Sequence, residues 1–150
     1  HMRKMKVGKV TFTEAYKAVH EYRQKFPEKA VTFYAQNYPA MGWAVFMAGG
    51  SCPVIPCTDK AFLKDAAAME VEETNTDEYK KMVKSDIGSI IYSKSGTEIP
   101  VQLSSGKYVL KYIHPASGKI ETINKSLKIN GLYKLKVPDK KEGIYWFHKL

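Results

Sequence analysis

The sequence predicts an α+β protein, with an N-terminal α/β segment over residues 1–85 and an antiparallel β-sheet or sandwich over residues 86–150. Three observations carry that reading. Apolar residues recur at helical spacing between Thr11 and Phe26. Strand-like and helical runs then alternate as far as about residue 85, as they do in α/β construction. From Asp86 onward, short segments of period-two alternation follow one another, each closed by a glycine-containing turn.

The first helix has a start and a stop. Thr11 and Glu14 form a capping-box pair, Phe12, Ala15, Tyr16, Val19, Tyr22 and Phe26 make one apolar face, and Pro27 ends it. His20, between the charged and apolar faces, reads as a half-exposed surface histidine. AVTFYAQ, residues 30–36, is β-branched and aromatic on both faces and predicts a buried strand. Asn37 can cap the next helix, with Pro39 near its first turn. That helix, carrying Ala40, Trp43, Ala44, Phe46 and Met47, is apolar nearly all round and ends at Gly49-Gly50. CPVIP, residues 52–56, reads as a second short buried strand. Thr58 and Asp59 open a helix through about Glu70, and Thr74, Asp77 and Glu78 start another that carries Tyr79, Met82 and Val83 inward. Two strands are too few for a stable parallel sheet, so the N-terminal half reads as part of something larger.

The C-terminal half offers seven strand candidates: GSIIYSKSG, TEIPVQL, GKYVLKYI, GKIETI, KSLKI, GLYKLKV and GIYWFHKL. Ser95-Gly96, Ser105-Gly106, Ser117-Gly118, Asn130-Gly131 and Glu142-Gly143 punctuate them, and Asn-Gly is a strong tight-turn signal. Lysines on the outer positions guard the sheet edges.

A length of 150 residues and a hydrophobic share of 44% fit one domain or two small ones with a buried core. His1-Met2 reads as a cloning remnant. The apolar stretch 38–56 is interrupted by Pro39, Gly49, Gly50, Pro53 and Pro56, which excludes a spanning helix. The net charge of +9 permits an anionic partner. However, only Arg3 and Arg23 are arginines, and the lysines are scattered, so a solvated surface is expected and nucleic acid is not. Cys52 and Cys57 complete no zinc pattern. Two buried thiols or, in an exported protein, a short disulfide fit their spacing, and the intervening prolines favour free thiols.

No phosphate loop and no nucleophile elbow is present, and nothing calls for a cofactor or a metal. Ser51 follows a double glycine, but a serine nucleophile needs a base and an orienting acid, and His114 and His148 lie far along the chain. Glu70, Glu72 and Glu73 read as solvated helix surface, and Asp86 and Glu98 make no acid–base pair. Trp43 and most rings around Trp146 are expected in the core.

With those residues read, YAQNYPAMGWAVFMAGGS resembles a late barrel segment of glycoside-hydrolase-like proteins of Bacteroidetes, in which a W-A-x-x-M-A-G-G helix follows a strand. The text from GKYVLKYIHPASGKI to the end is similar to the small β domain behind such barrels, of the type named for collagen binding, through Tyr112, Pro115 and Gly118. The resemblance covers residues from about 11 onward. It implies that the N-terminal segment is the last βα units of a (β/α)8 barrel, and that this is the C-terminal part of an exported carbohydrate-active enzyme. It also implies carbohydrate-contacting residues at the barrel mouth: Tyr34, Gln36, Asn37 and Tyr38. Relatives of this kind carry a carboxylate at the end of a late strand, where this chain has Gln36 and Asn37, so it is not expected to be catalytic alone. The alternative is a free-standing basic module for an acidic glycan or nucleic acid.

Overall fold

The computed structural model describes residues 10–33 and 40–150. The chain divides into two compact units, residues 1–56 and 57–150.

The first unit contains helices α1 (Phe12–Lys25) and α2 (Ala40–Met47), packed on each other. The capping box of α1 forms as expected: Glu14 N–H donates to Thr11 Oγ1 at 3.2 Å, and Thr11 N–H donates to Glu14 Oε2 at 3.1 Å. Ala15, Tyr16, Ala18 and Val19 form its buried face. His20 is half-buried against the Tyr16 ring, 5.7 Å between centroids. Helix α2 is apolar and buried on every side from Met41 to Met47, with Trp43 edge-on to Phe46 at 5.5 Å. Its end is a Schellman motif. Gly49 N–H donates to Phe46 O at 3.1 Å and Gly50 N–H to Val45 O at 2.9 Å, while Gly49 takes a left-handed φ of 75°.

Two expectations for this unit change. Residues 30–33 form no strand, and the rest of that segment, 34–36, lies outside the described residues. Residues 52–56 form no strand either; Val54 is 62% exposed. Ser51 instead ties the loops together. Its N–H donates to Val31 O at 2.7 Å, and its Oγ accepts from Val31 N–H at 3.1 Å. Both cysteines are free, as favoured, but Cys52 is exposed and only Cys57 is buried. Burial pushes the Cys57 thiol up from its ordinary pKa.

The second unit contains one helix and eight strands: α3 (Lys60–Ala68), β1 (Glu70–Glu72), β2 (Tyr79–Lys84), β3 (Gly88–Ser93), β4 (Glu98–Gln102), β5 (Gly106–Ile113), β6 (Ile120–Ile129), β7 (Leu132–Lys136) and β8 (Gly143–Lys149). Six form one sheet in the order β1-β2-β3-β8-β5-β6, and β4 pairs with β7 in a second sheet. Every pairing is antiparallel. The protein is thus α+β with an antiparallel sheet, as predicted from the turn-punctuated alternation. No parallel βαβ unit forms among the described residues.

The predicted helix over Tyr79, Met82 and Val83 is strand β2. Six residues satisfy a period of 2 as well as one of 3.6, and β3, buried at every position, supplies the partner that decides. Thr74 and Thr76 close a turn ahead of it: Thr74 Oγ1 donates to Tyr79 O at 3.2 Å, and Glu78 N–H donates to Thr76 Oγ1 at 3.1 Å. Glu70 and Glu72 are correspondingly strand residues, with Glu72 2.7 Å from Lys81 Nζ. GKIETI and KSLKI merge into the single strand β6, whose register against β5 shifts around Leu110. The Asn130-Gly131 turn carries the chain from the large sheet to the small one instead of closing a hairpin within one sheet.

The core lies between the two sheets. Ile91, Tyr108, Leu110, Tyr112, Tyr145 and Phe147 face Ile99, Val101, Leu135 and Val137. On the opposite face of the large sheet, Phe62 of α3 meets Trp146 edge-on at 5.3 Å.

Candidate functional site

The small sheet has two strands and the large one six, so the cover is incomplete. The gap is an open cleft of about 470 Å³ within the second unit. Leu110 of β5 and Leu135 of β7 form its floor. Tyr112, Tyr133 and Tyr145 line its walls, with Ile123, Glu121, Pro138 and Lys141 around them. Ile123, in the shifted stretch of β6, is 53% exposed there.

One edge of the small sheet faces this cleft. Leu103 N–H donates to Gly131 O and Val137 N–H to Thr97 O, both at 2.8 Å, which fixes the phase of the ladder. Tyr133 and Leu135 therefore bond across to Val101 and Ile99, and the backbone groups of Lys134 and Lys136 point to the free edge of β7. The other edge is closed: Pro100 sits on β4, and its carbonyl accepts from Lys81 Nζ at 3.0 Å.

The Tyr112 and Tyr145 hydroxyls are spent on the scaffold. Tyr112 OH donates to Glu142 O and Tyr145 OH to Lys141 O, each at 2.7 Å. Both rings are buried, 5% and 2% exposed and 5.2 Å apart, so the ring surface open to a ligand is that of half-buried Tyr133. Burial pushes the Tyr145 hydroxyl up to about 12, with Tyr112 adding to it. Burial also raises Tyr112, helped by the Glu121 and Glu142 charges.

Lys141 and Glu121 set the charge at the mouth. Lys141 Nζ stands 5.0 Å over the Tyr112 ring and 3.8 Å from Glu121 Oε2. Glu121 Oε1 lies 3.0 Å from His114 Nε2, at ion-pair distance but off the line of a well-formed hydrogen bond. The His114 contact holds the Glu121 carboxyl below its ordinary range, with Lys141 and Lys119 contributing. Glycosidases flank the scissile bond with two carboxylates, one of them an acid; this cleft has one, and it is ionised.

A second polar cluster lies on the α3 face. Asp65, 7% exposed, accepts from Trp146 Nε1 at 2.9 Å and from His148 Nδ1 at 2.7 Å. A carboxylate acceptor places the proton on Nδ1. This is the orienting half of a nucleophile triad, but His148 makes no hydrogen bond to a described hydroxyl or thiol. The dyad fastens α3 to β8. The hydrolase reading of Ser51 finds no support, since Ser51 Oγ accepts from Val31, and His114 and His148 are engaged by carboxylates.

Tyr34, Gln36, Asn37 and Tyr38 lie outside the described residues. The cleft residues Leu110 and Tyr112 stand in plain view as strand text, on either side of Lys111. Their convergence with Tyr145 and Lys141 depends on strand order, which no local pattern encodes. The described arginine, Arg23, donates to the carbonyls of Lys29 at 3.0 Å and Pro27 at 3.5 Å. No helix of the described residues is long and apolar enough to cross a membrane.

Residues 1–69 match a family model described as a domain of unknown function, DUF6298. No curated protein matches the chain. A solved structure titled "Glycoside hydrolase" is similar at 16% identity and a TM-score of 0.40, over 53% of this chain and 19% of its own. The chain thus spans about a fifth of that glycoside hydrolase's length.

Proposed function

We propose that residues 57–150 form a non-catalytic module that contacts carbohydrate, in the C-terminal part of a glycoside-hydrolase-like protein. The cleft carries this reading: half-buried Tyr133 presents ring surface beside an apolar floor backed by the buried Tyr112 and Tyr145, next to a free strand edge that offers backbone donors and acceptors. Sugars need that pairing, because their C–H faces pack on rings while their hydroxyls require hydrogen-bond partners. The sequence resemblance points the same way, and on it the N-terminal segment would belong to the end of a barrel with Tyr34, Gln36, Asn37 and Tyr38 at its mouth. The single ionised carboxylate supports contact without hydrolysis.

Affinity electrophoresis of the 150-residue chain through gels containing individual polysaccharides tests the proposal. Retardation by at least one polymer is expected, and Tyr133→Ala, which strips one cleft wall, should abolish it. Unretarded migration across a broad panel of neutral and acidic polymers would overturn the reading.

A further inference from the structure

Resting on that reading, we infer that the cleft selects anionic sugars, with the Lys141 ammonium as the group that reads the carboxylate or sulfate. Lys141 is held for this task. Its carbonyl accepts from Tyr145 OH, and its Nζ stands over the Tyr112 ring at 5.0 Å. The cation therefore covers the buried Tyr112 ring and lines the same cleft as half-buried Tyr133, where it would meet an anionic substituent of a sugar that enters.

Its present ion pair is loose. Glu121 Oε2 is 3.8 Å away, beyond a direct hydrogen bond, and Glu121 is shared with His114. An incoming anion can therefore take the ammonium without breaking a tight pair. The rest of the rim favours the same sign. Lys134 and Lys136 also line the cleft, and Lys134 has only a 3.9 Å contact with exposed Glu98. Lys136 pairs with no carboxylate among the described residues. Three ammonium groups thus stand against one carboxylate at a cleft that lacks a second acid. The free backbone groups of Lys134 and Lys136 remain for the sugar hydroxyls.

Glu121 then acts as a restraint on affinity, because it draws on Lys141 and repels an anion. This gives a signature that a purely structural residue would not produce. Glu121→Gln should tighten binding of an acidic polymer about two- to fivefold, the range of an exposed charge pair. Lys141→Gln should weaken it about tenfold, as expected for loss of a hydrogen bond to a charged group.

The experiment titrates the 150-residue chain calorimetrically with polygalacturonate and its carboxyl-reduced form, and with dextran sulfate and dextran. Circular dichroism checks that each variant is folded. Binding of an anionic polymer but not its neutral partner, with opposite shifts in Lys141→Gln and Glu121→Gln, is the expected result. The first pair responding alone assigns the anion as carboxylate, the second alone as sulfate. Equal binding of charged and neutral partners would overturn the inference and leave the carbohydrate reading standing. No binding to any of the four polymers would overturn the inference; the broader gel panel then decides the carbohydrate reading separately. Anionic binding that neither variant changes would assign it to the scattered lysine surface and overturn the inference.

Discussion

Asp65 is the residue on which the α3 face depends most. It accepts two hydrogen bonds from β8 side chains while nearly buried. Asp65→Ala leaves the Trp146 indole N–H and the His148 Nδ1–H without that acceptor, and should cost about 2–3 kcal/mol. Asp65→Asn keeps an acceptor oxygen and should cost less. Urea unfolding followed by tryptophan fluorescence separates the two. The tyrosines make a separate prediction at high pH. Tyr145, raised to about 12 by burial, is favoured as the neutral phenol in the folded state. Its contribution is complete below the ordinary tyrosine range near 10 and is lost as pH rises through the folded value. Stability should therefore fall above pH 10, and Tyr145→Phe should flatten that fall in alkaline unfolding curves. Glu121 has the opposite sign. Its lowered carboxyl contributes above the ordinary carboxylate range, and that contribution is lost as pH falls through the lowered value.

At the level of elements, the strand β3 has little freedom to vary. A Cβ on Gly88 would overlap the Phe147 carbonyl oxygen on β8, its neighbour in the sheet. Backbone cannot move aside as a side chain can, so Gly88→Ala should cost at least about 3 kcal/mol, readable as a lowered thermal midpoint. The Schellman end of α2 sets a smaller test: Gly49→Ala forces a Cβ into the left-handed region and should cost about 1–2 kcal/mol. Features of this local kind were legible. Thr11, Glu14, Gly49, Gly50 and Asp59 sit at helix ends because their chemistry acts within a few residues, and each does what its position predicted. Residues 79–84 were not legible, because the evidence for a strand there lies in β3 and not in the segment itself. CPVIP failed for the converse reason. Its composition suits a strand, but no described strand pairs with it.

For the molecule as a whole, the C-terminal unit contains its own two-sheet core, with Tyr108, Phe147, Ile99 and Leu103 almost fully buried within it. Residues 57–150 made alone should therefore unfold in one cooperative transition, with circular dichroism and tryptophan fluorescence giving the same midpoint. Two separated midpoints would show that the unit is not self-sufficient. The cleft also belongs to this scale. Its tyrosines come from β5, β7 and β8, and its charged pair from β6 and the β7–β8 loop. Sequence could supply those side chains but not their meeting place, since that follows from a two-strand sheet laid on a six-strand one.

The position of β8 has a consequence for biosynthesis. It is the last of the eight strands along the chain, yet it lies between β3 and β5 and is the only strand that joins β1-β2-β3 to β5-β6. A ribosome delivers it after every other part of the sheet. Until residues 143–149 have left the exit tunnel, the nascent unit holds two half-sheets with open edges and no strand that hydrogen-bonds to both. Folding of this unit is then a single late event, and a chain stalled before Gly143 would present those edges to chaperones.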